Sequence, residues 1–166
     1  MSGIDSLSDN ALMQISKAEI GNLIRDKGGD NLAGFALCTD DDLTTLFAAM
    51  ASKEWMNDLQ NEDLYFWPPD WPTTGFADSL GETAKCLRAR RLGESGTGVI
   101  DRSFECLVAV LQQLRAEGVL GNRVGIQITS TDPSEHLEQL ASAAVRRLNS
   151  AEFYSRWKRV WMPENR

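Results

Sequence analysis

The sequence predicts an α+β fold, a small antiparallel or mixed β-sheet of about three to five strands with helices packed on it. Three observations carry that expectation. Apolar residues recur at helical spacing in several separate segments. Two β-leaning runs flank Asp40, Asp41 and Asp42. Late in the chain, Val124, Ile126 and Ile128 alternate with other residues at strand period. The 166 residues are 42% hydrophobic and 25% charged. That is the length and composition of one globular domain able to bury a core without a metal or disulfide, so residues 1–166 are expected to form a single domain.

Leu12, Ile15, Ile20, Leu23 and Ile24 fall on one face of a helix over residues 9–27, which Gly28 and Gly29 stop. Residues 33–39 and 43–47 then read as a β-hairpin, with the three Asp residues at its turn, where carboxylates bond nearby backbone N–H groups. Ser52 caps a short helix ending near residue 59. Residues 64–72 hold Tyr65, Phe66, Trp67 and Trp71 among Pro68, Pro69 and Pro72. The prolines exclude a helix there, and residues 64–67 are a candidate fourth strand. The four rings either pack as a lid over the core or form a partner or ligand surface.

Phe76, Leu80, Ala84 and Leu87 define a helix over residues 75–92, followed by a glycine-rich loop at 93–98 that lacks the Lys-Ser/Thr of a phosphate-binding loop. Phe104, Leu107, Val108, Leu111 and Leu114 make the clearest amphipathic helix, closing at Gly118. Residues 123–129 read as a half-buried strand. Asp132 as N-cap, Pro133 in the first turn and Glu135 three residues on open the next helix, which runs to Asn149. Ser150 caps a last helix carrying Phe153, Tyr154 and Trp157.

The chemistry-bearing residues are sparse. His136 is the only histidine, with no nucleophile motif beside it, so a Ser-His or Cys-His site finds no support. Cys38, Cys86 and Cys106 are far apart and odd in number, which fits buried free thiols in a reducing compartment better than a zinc site. The Asp triplet lacks the alternating ligands, central Gly and distal Glu of a calcium loop. No catalytic residue, metal or cofactor is expected, and the chain is read as a non-enzyme. Its N-terminus has no basic region followed by an apolar run, and no stretch approaches the roughly 20 apolar residues of a membrane helix. A cytoplasmic protein that does not bind membranes is therefore expected.

The net charge of −7 is unevenly placed: residues 1–64 carry 12 acidic and 4 basic side chains, residues 65–166 carry 12 and 13. Such a field disfavours nucleic acid and speeds association with a basic protein partner.

The run from Gly34 to Leu43, the segment Phe66-Trp67-Pro68-Pro69-Asp70-Trp71, and the strand, Asp-Pro turn and helix from Ile126 to Asn149 occur in the order of an uncharacterised bacterial family. Over about residues 10–157 the chain resembles domain of unknown function 4303. Such proteins are similar to small cytoplasmic antidotes encoded beside bacterial toxins. The resemblance implies an immunity protein that binds and neutralises a cognate toxin. The acidic charge suits a toxin with a basic surface. Candidate contacts are Asp40, Asp41, Asp42, Glu62, Asp63, Trp67, Asp70 and Trp71. The other reading is a small-ligand-binding protein, or an enzyme of unknown reaction, that uses the aromatic-proline segment as a pocket wall.

Overall fold

The computed structural model describes residues 8–162. Ten elements build it: α1 (Asp9–Leu23), β1 (Leu32–Thr39), β2 (Leu46–Ser52), α2 (Lys53–Asp58), β3 (Thr73–Gly75), α3 (Gly81–Gly93), α4 (Gly98–Ala116), β4 (Gly125–Ser130), α5 (Glu135–Leu148) and α6 (Ala151–Trp161). The strands form one mixed sheet in the order β3-β2-β1-β4. β1 runs antiparallel to β2 and parallel to β4, and β3 pairs antiparallel with β2. The fold is α+β, as the sequence predicts.

Both faces of this sheet are covered, and they differ in chemistry. Phe35 aligns with Ile126 on one side and Met50 on the other, and Leu37 with Ile128 and Ala48. These bulky residues join Leu12 and Ile20 of α1, Leu87 of α3, Phe104, Leu107 and Leu111 of α4, and Leu137 of α5 in the larger core cluster. The opposite face is made of small or slender residues. Gly34 aligns with Gly125 and Ala51, and Ala36 with Gln127 and Ala49. Rings fill the space these residues leave: Tyr65, Phe66, Trp71 and Trp157 share a second cluster with Ala36, Cys38, Ala49 and Ala51. A Cβ on Gly34 would lie 2.7 Å from the Trp71 ring, and one on Gly125 would collide with Tyr65 and Phe153. Glycine at these two places is a packing requirement of the aromatic layer.

Side chains close the ends that the ladder leaves open. Asn149 donates to the Ile126 carbonyl at 2.7 Å and accepts from the Ile126 N–H at 2.8 Å, standing in for a further strand at the β4 edge. β1 carries an irregularity at Ala33, whose carbonyl accepts the Tyr65 hydroxyl at 2.9 Å. The N-terminus of α3 has no cap from its own flanking residue; Glu19 of α1 accepts instead from the Glu82 and Thr83 N–H groups, at 2.9 and 2.8 Å.

Several sequence expectations need correcting. The first helix is α-helical only to Leu23 and widens into a π turn over Ile24–Gly28 before Gly29, at φ 56°, redirects the chain. The second hairpin strand is Leu46–Ser52, later than the expected 43–47. Leu43 is a buried loop residue at φ 55°, its N–H bonded to the Asp40 carbonyl, so its apolar side chain plugs the core from the turn. Residues 64–67 are no strand: Glu62–Phe66 is a 3₁₀ turn, and the fourth strand is Thr73–Gly75. The helix expected over 75–92 starts later, at Gly81. α5 is capped by Ser134, whose hydroxyl accepts from the Leu137 N–H, and not by Asp132. β4 is buried along its whole length, where a half-buried strand was expected, because the aromatic layer covers the second face. α4 and its end at Gly118, at φ 78°, agree with the sequence reading.

Candidate interaction surface

The Asp triplet and the aromatic-proline segment, both candidate contacts by sequence, have different surroundings in the structure. After β1 the chain turns through Asp40. Its carboxylate accepts from the Thr44 N–H at 2.6 Å, the Thr45 N–H at 3.3 Å and the Thr44 hydroxyl. Burial pushes this carboxyl up, but the Thr44 and Thr45 hydrogen bonds outweigh it and hold the group below the usual carboxylate range. Asp41 reaches the N-terminus of α5, both its oxygens accepting the Ser134 N–H at 3.0 and 3.1 Å. The carboxylate there complements the positive end of the helix dipole. Asp42 pairs with Arg91 of α3 at 3.3 Å, and Arg91 also donates to the carbonyls of Glu94 and Gly96 in the glycine loop. All three carboxylates tie the β1–β2 turn to its surroundings.

The aromatic segment crosses the small-residue face of the sheet as two 3₁₀ turns, Glu62–Phe66 and Pro68–Asp70. Pro68 suits the first position of its turn because it has no N–H to satisfy. Trp71 is 3% exposed, donates its indole N–H to the Leu64 carbonyl at 3.1 Å and stacks on Tyr65 with centroids 5.8 Å apart. Tyr65 and Phe66 are equally buried, and burial pushes the Tyr65 phenol up to about 12. These three rings form the structural lid. Trp71, a proposed contact residue, is thus inside the protein.

Trp67 points the other way. It is half-buried and stacks on Trp161 of α6 with centroids 4.6 Å apart and planes 24° from parallel. Trp161 donates its own indole N–H to the Phe66 carbonyl at 2.7 Å and lies 6.0 Å from Trp157 in a further stack. Leu64, in the same turn as Trp67, is 42% exposed, and Met162, next to Trp161, is 38% exposed. Four acidic or basic groups rim this apolar ridge. Glu62 pairs with Arg156 at 3.0 Å, and the Arg156 guanidinium also lies over the Phe66 ring, 5.4 Å from its centroid. Glu62, Asp63, Arg156 and Arg159 line a groove of about 220 Å³ beside Phe66. The Asp63 and Asp70 side chains are exposed, and neither makes an ion pair among the described residues.

The structure therefore brings Glu62, Asp63, Trp67 and Asp70 onto one segment and assigns Asp40, Asp41, Asp42 and Trp71 to the framework. Asp42 leans on α3 in the helical layer and Glu62 on α6 in the aromatic layer, so the two acidic clusters are anchored to different elements. Sequence reasoning missed Trp161 and Leu64. Trp161 lies four residues after Trp157, on the same helical face, and that spacing was available as a signal. Leu64 gives no such signal, because its exposure is decided by the fold.

His136 contacts Asp101 at 2.6 Å between α5 and α4, and both are partly exposed. Cys38, Cys86 and Cys106 are free and buried, and burial pushes the Cys38 thiol up to about 12. Among the described residues, no cluster of His, Cys, Asp and Glu is placed to hold a metal, and no helix is long and apolar enough to cross a membrane.

No curated protein and no solved structure matches this chain. The family model described as "Domain of unknown function (DUF4303)" matches residues 12–150, from the first turn of α1 to the cap of α6. The chain belongs to that family.

Proposed function

We propose that this chain is a cytoplasmic immunity protein of a bacterium, a binding module that neutralises a cognate toxin by docking on the ridge around Trp67 and Trp161. One observation carries the reading. An exposed leucine and a stacked pair of half-buried indoles stand together, flanked along the chain by Asp63 and Asp70, whose side chains make no hydrogen bond or ion pair among the described residues. Tryptophan is a favoured anchor at interfaces because it buries a large area at small entropic cost. Unpaired rim carboxylates raise the on-rate toward a basic surface and discourage acidic partners. Net charge of −7 acts in the same direction.

The acidic first 64 residues concentrate charge at Asp40, Asp41 and Asp42 and at Glu62 and Asp63. With the triplet's carboxylates occupied by Thr44, Ser134 and Arg91, and Glu62 paired with Arg156, the role falls to Asp63 and Asp70. Co-expression with the product of the neighbouring gene tests the proposal. Restored growth together with co-purification supports immunity; neither protection nor co-purification removes it.

A further inference from the structure

We infer that the ridge is a self-complementary face on which a second copy of this chain docks about a two-fold axis. The inference goes beyond the immunity reading and does not depend on it. Two strips of opposite charge meet at the Trp67–Trp161 stack. Residues 62–70 bring Glu62, Asp63 and Asp70 and no basic side chain, while residues 156–161 of α6 bring Arg156, Lys158 and Arg159 and no acidic one. The strips share the groove of about 220 Å³, lined by Asp63 from one and Arg159 from the other, with Phe66 and Val160 as its apolar part. Glu62 and Arg156 satisfy each other at 3.0 Å. Asp63 and Arg159 line the same groove, yet neither makes an ion pair among the described residues.

That pattern selects its occupant. A surface of one sign pairs with one strip and sets like charge against the other. A second copy turned by 180° about an axis through the indole stack lays each acidic strip over the other copy's basic strip. Asp63 of each copy then meets Arg159 of the other, so every contact is made twice, as a two-fold interface requires. Leu64 and Met162, 42% and 38% exposed, and the half-buried Trp67 and Trp161 come together from both copies near the axis and leave water. Extent sets the strength. A stable interface takes about 20–30 residues a side, more than the ridge and groove offer, so the dimer is weak and reversible. It covers Trp67, and a toxin docking there competes with it.

Sedimentation velocity of the intact chain tests this. The expected result is a sedimentation coefficient that rises reversibly toward a dimer over a roughly hundredfold range of concentration, and a dimer at least about tenfold weaker in Trp67→Ala. Asp63→Arg and Arg159→Asp each sediment as monomers, because each sets like charges together twice. An equimolar mixture of the two forms dimers again, because the two new side chains are opposite in sign and the two unchanged ones still match. Thermal melting of each variant shows that it is folded. A parent that stays monomeric over that range, a dimer that Trp67→Ala leaves at full strength, or a mixture no more dimeric than its components overturns the inference. Absent protection on co-expression removes the immunity reading alone and leaves these results as they stand.

Discussion

Replacing Trp71 by alanine separates the two halves of the aromatic segment. Trp71 is 3% exposed, fills the space above Gly34 and gives its indole N–H to the Leu64 carbonyl. Truncating a buried tryptophan costs about 3–5 kcal/mol through lost burial and the cavity left behind. The Leu64 carbonyl keeps the Trp67 N–H at 3.1 Å, so loss of the indole bond adds little to that cost. For a chain of this length each kcal/mol lowers Tm by about 2–4 °C, so Trp71→Ala should melt about 6–20 °C below the parent. Trp67→Ala removes a half-exposed ring whose stacking on Trp161 is worth about 1 kcal/mol and should lower Tm by only a few degrees. Urea unfolding followed by far-UV circular dichroism avoids the fluorescence of the deleted indoles and shows whether the midpoint moves at constant slope. A cost below about 1 kcal/mol for Trp71→Ala, or equal costs for the two variants, would refute the division into lid and ridge.

Three further outcomes follow from the same geometry. Gly125→Ala, whose new methyl collides with Tyr65 and Phe153, should destabilise the protein by about 1–3 kcal/mol; a neutral effect on the urea midpoint would mean that the aromatic layer gives way freely. The Asp40 carboxyl is held below its ordinary range, so the unfolded chain binds its proton more readily and the carboxylate stabilises the fold above the unfolded pKa of about 4. The stability difference between the parent and Asp40→Asn should therefore be present at neutral pH and vanish as pH falls through the native pKa; a pH-independent difference in urea midpoints argues against it. All three thiols should resist a thiol reagent at pH 8 until the protein is denatured, since burial pushes Cys38 to about 12 and Cys106 to about 11, whereas rapid native labelling of all three contradicts the packing.

The parts of the fold legible in the sequence are those governed by local periodicity. α4 presents Phe104, Leu107, Leu111 and Leu114 to the core as its spacing demands, and α6 starts at Ser150 because that hydroxyl accepts from the Phe153 N–H. What the sequence misled on was settled by contacts between distant residues. Leu43 reads as the start of a strand because it is apolar, yet it ends a turn in the left-handed region and plugs the core from there. Residues 64–67 look like a strand because they are aromatic, but the sheet face beneath them, Gly34, Ala36 and Gly125, is cut low so that their rings can lie on it. Asp132 and Ser134 are both competent caps, and the Asp41 carboxylate that meets the Ser134 N–H comes from 93 residues away. The site was half visible for the same reason. Composition marked the acids and tryptophans, but which of them face outward depends on partners such as Arg91, Ser134 and Trp161 that no local pattern identifies.

On the proposed reading, the ridge and not the Asp triplet meets the partner. Affinity of the co-purified partner for the parent, Trp67→Ala and Asp42→Asn, each verified as folded by its melting curve, decides between the two surfaces. Trp67→Ala should weaken binding by at least about 2 kcal/mol, roughly thirtyfold in Kd, as expected for a tryptophan anchor, while Asp42→Asn should leave Kd within about twofold. Full affinity in Trp67→Ala together with a large loss in Asp42→Asn would contradict it.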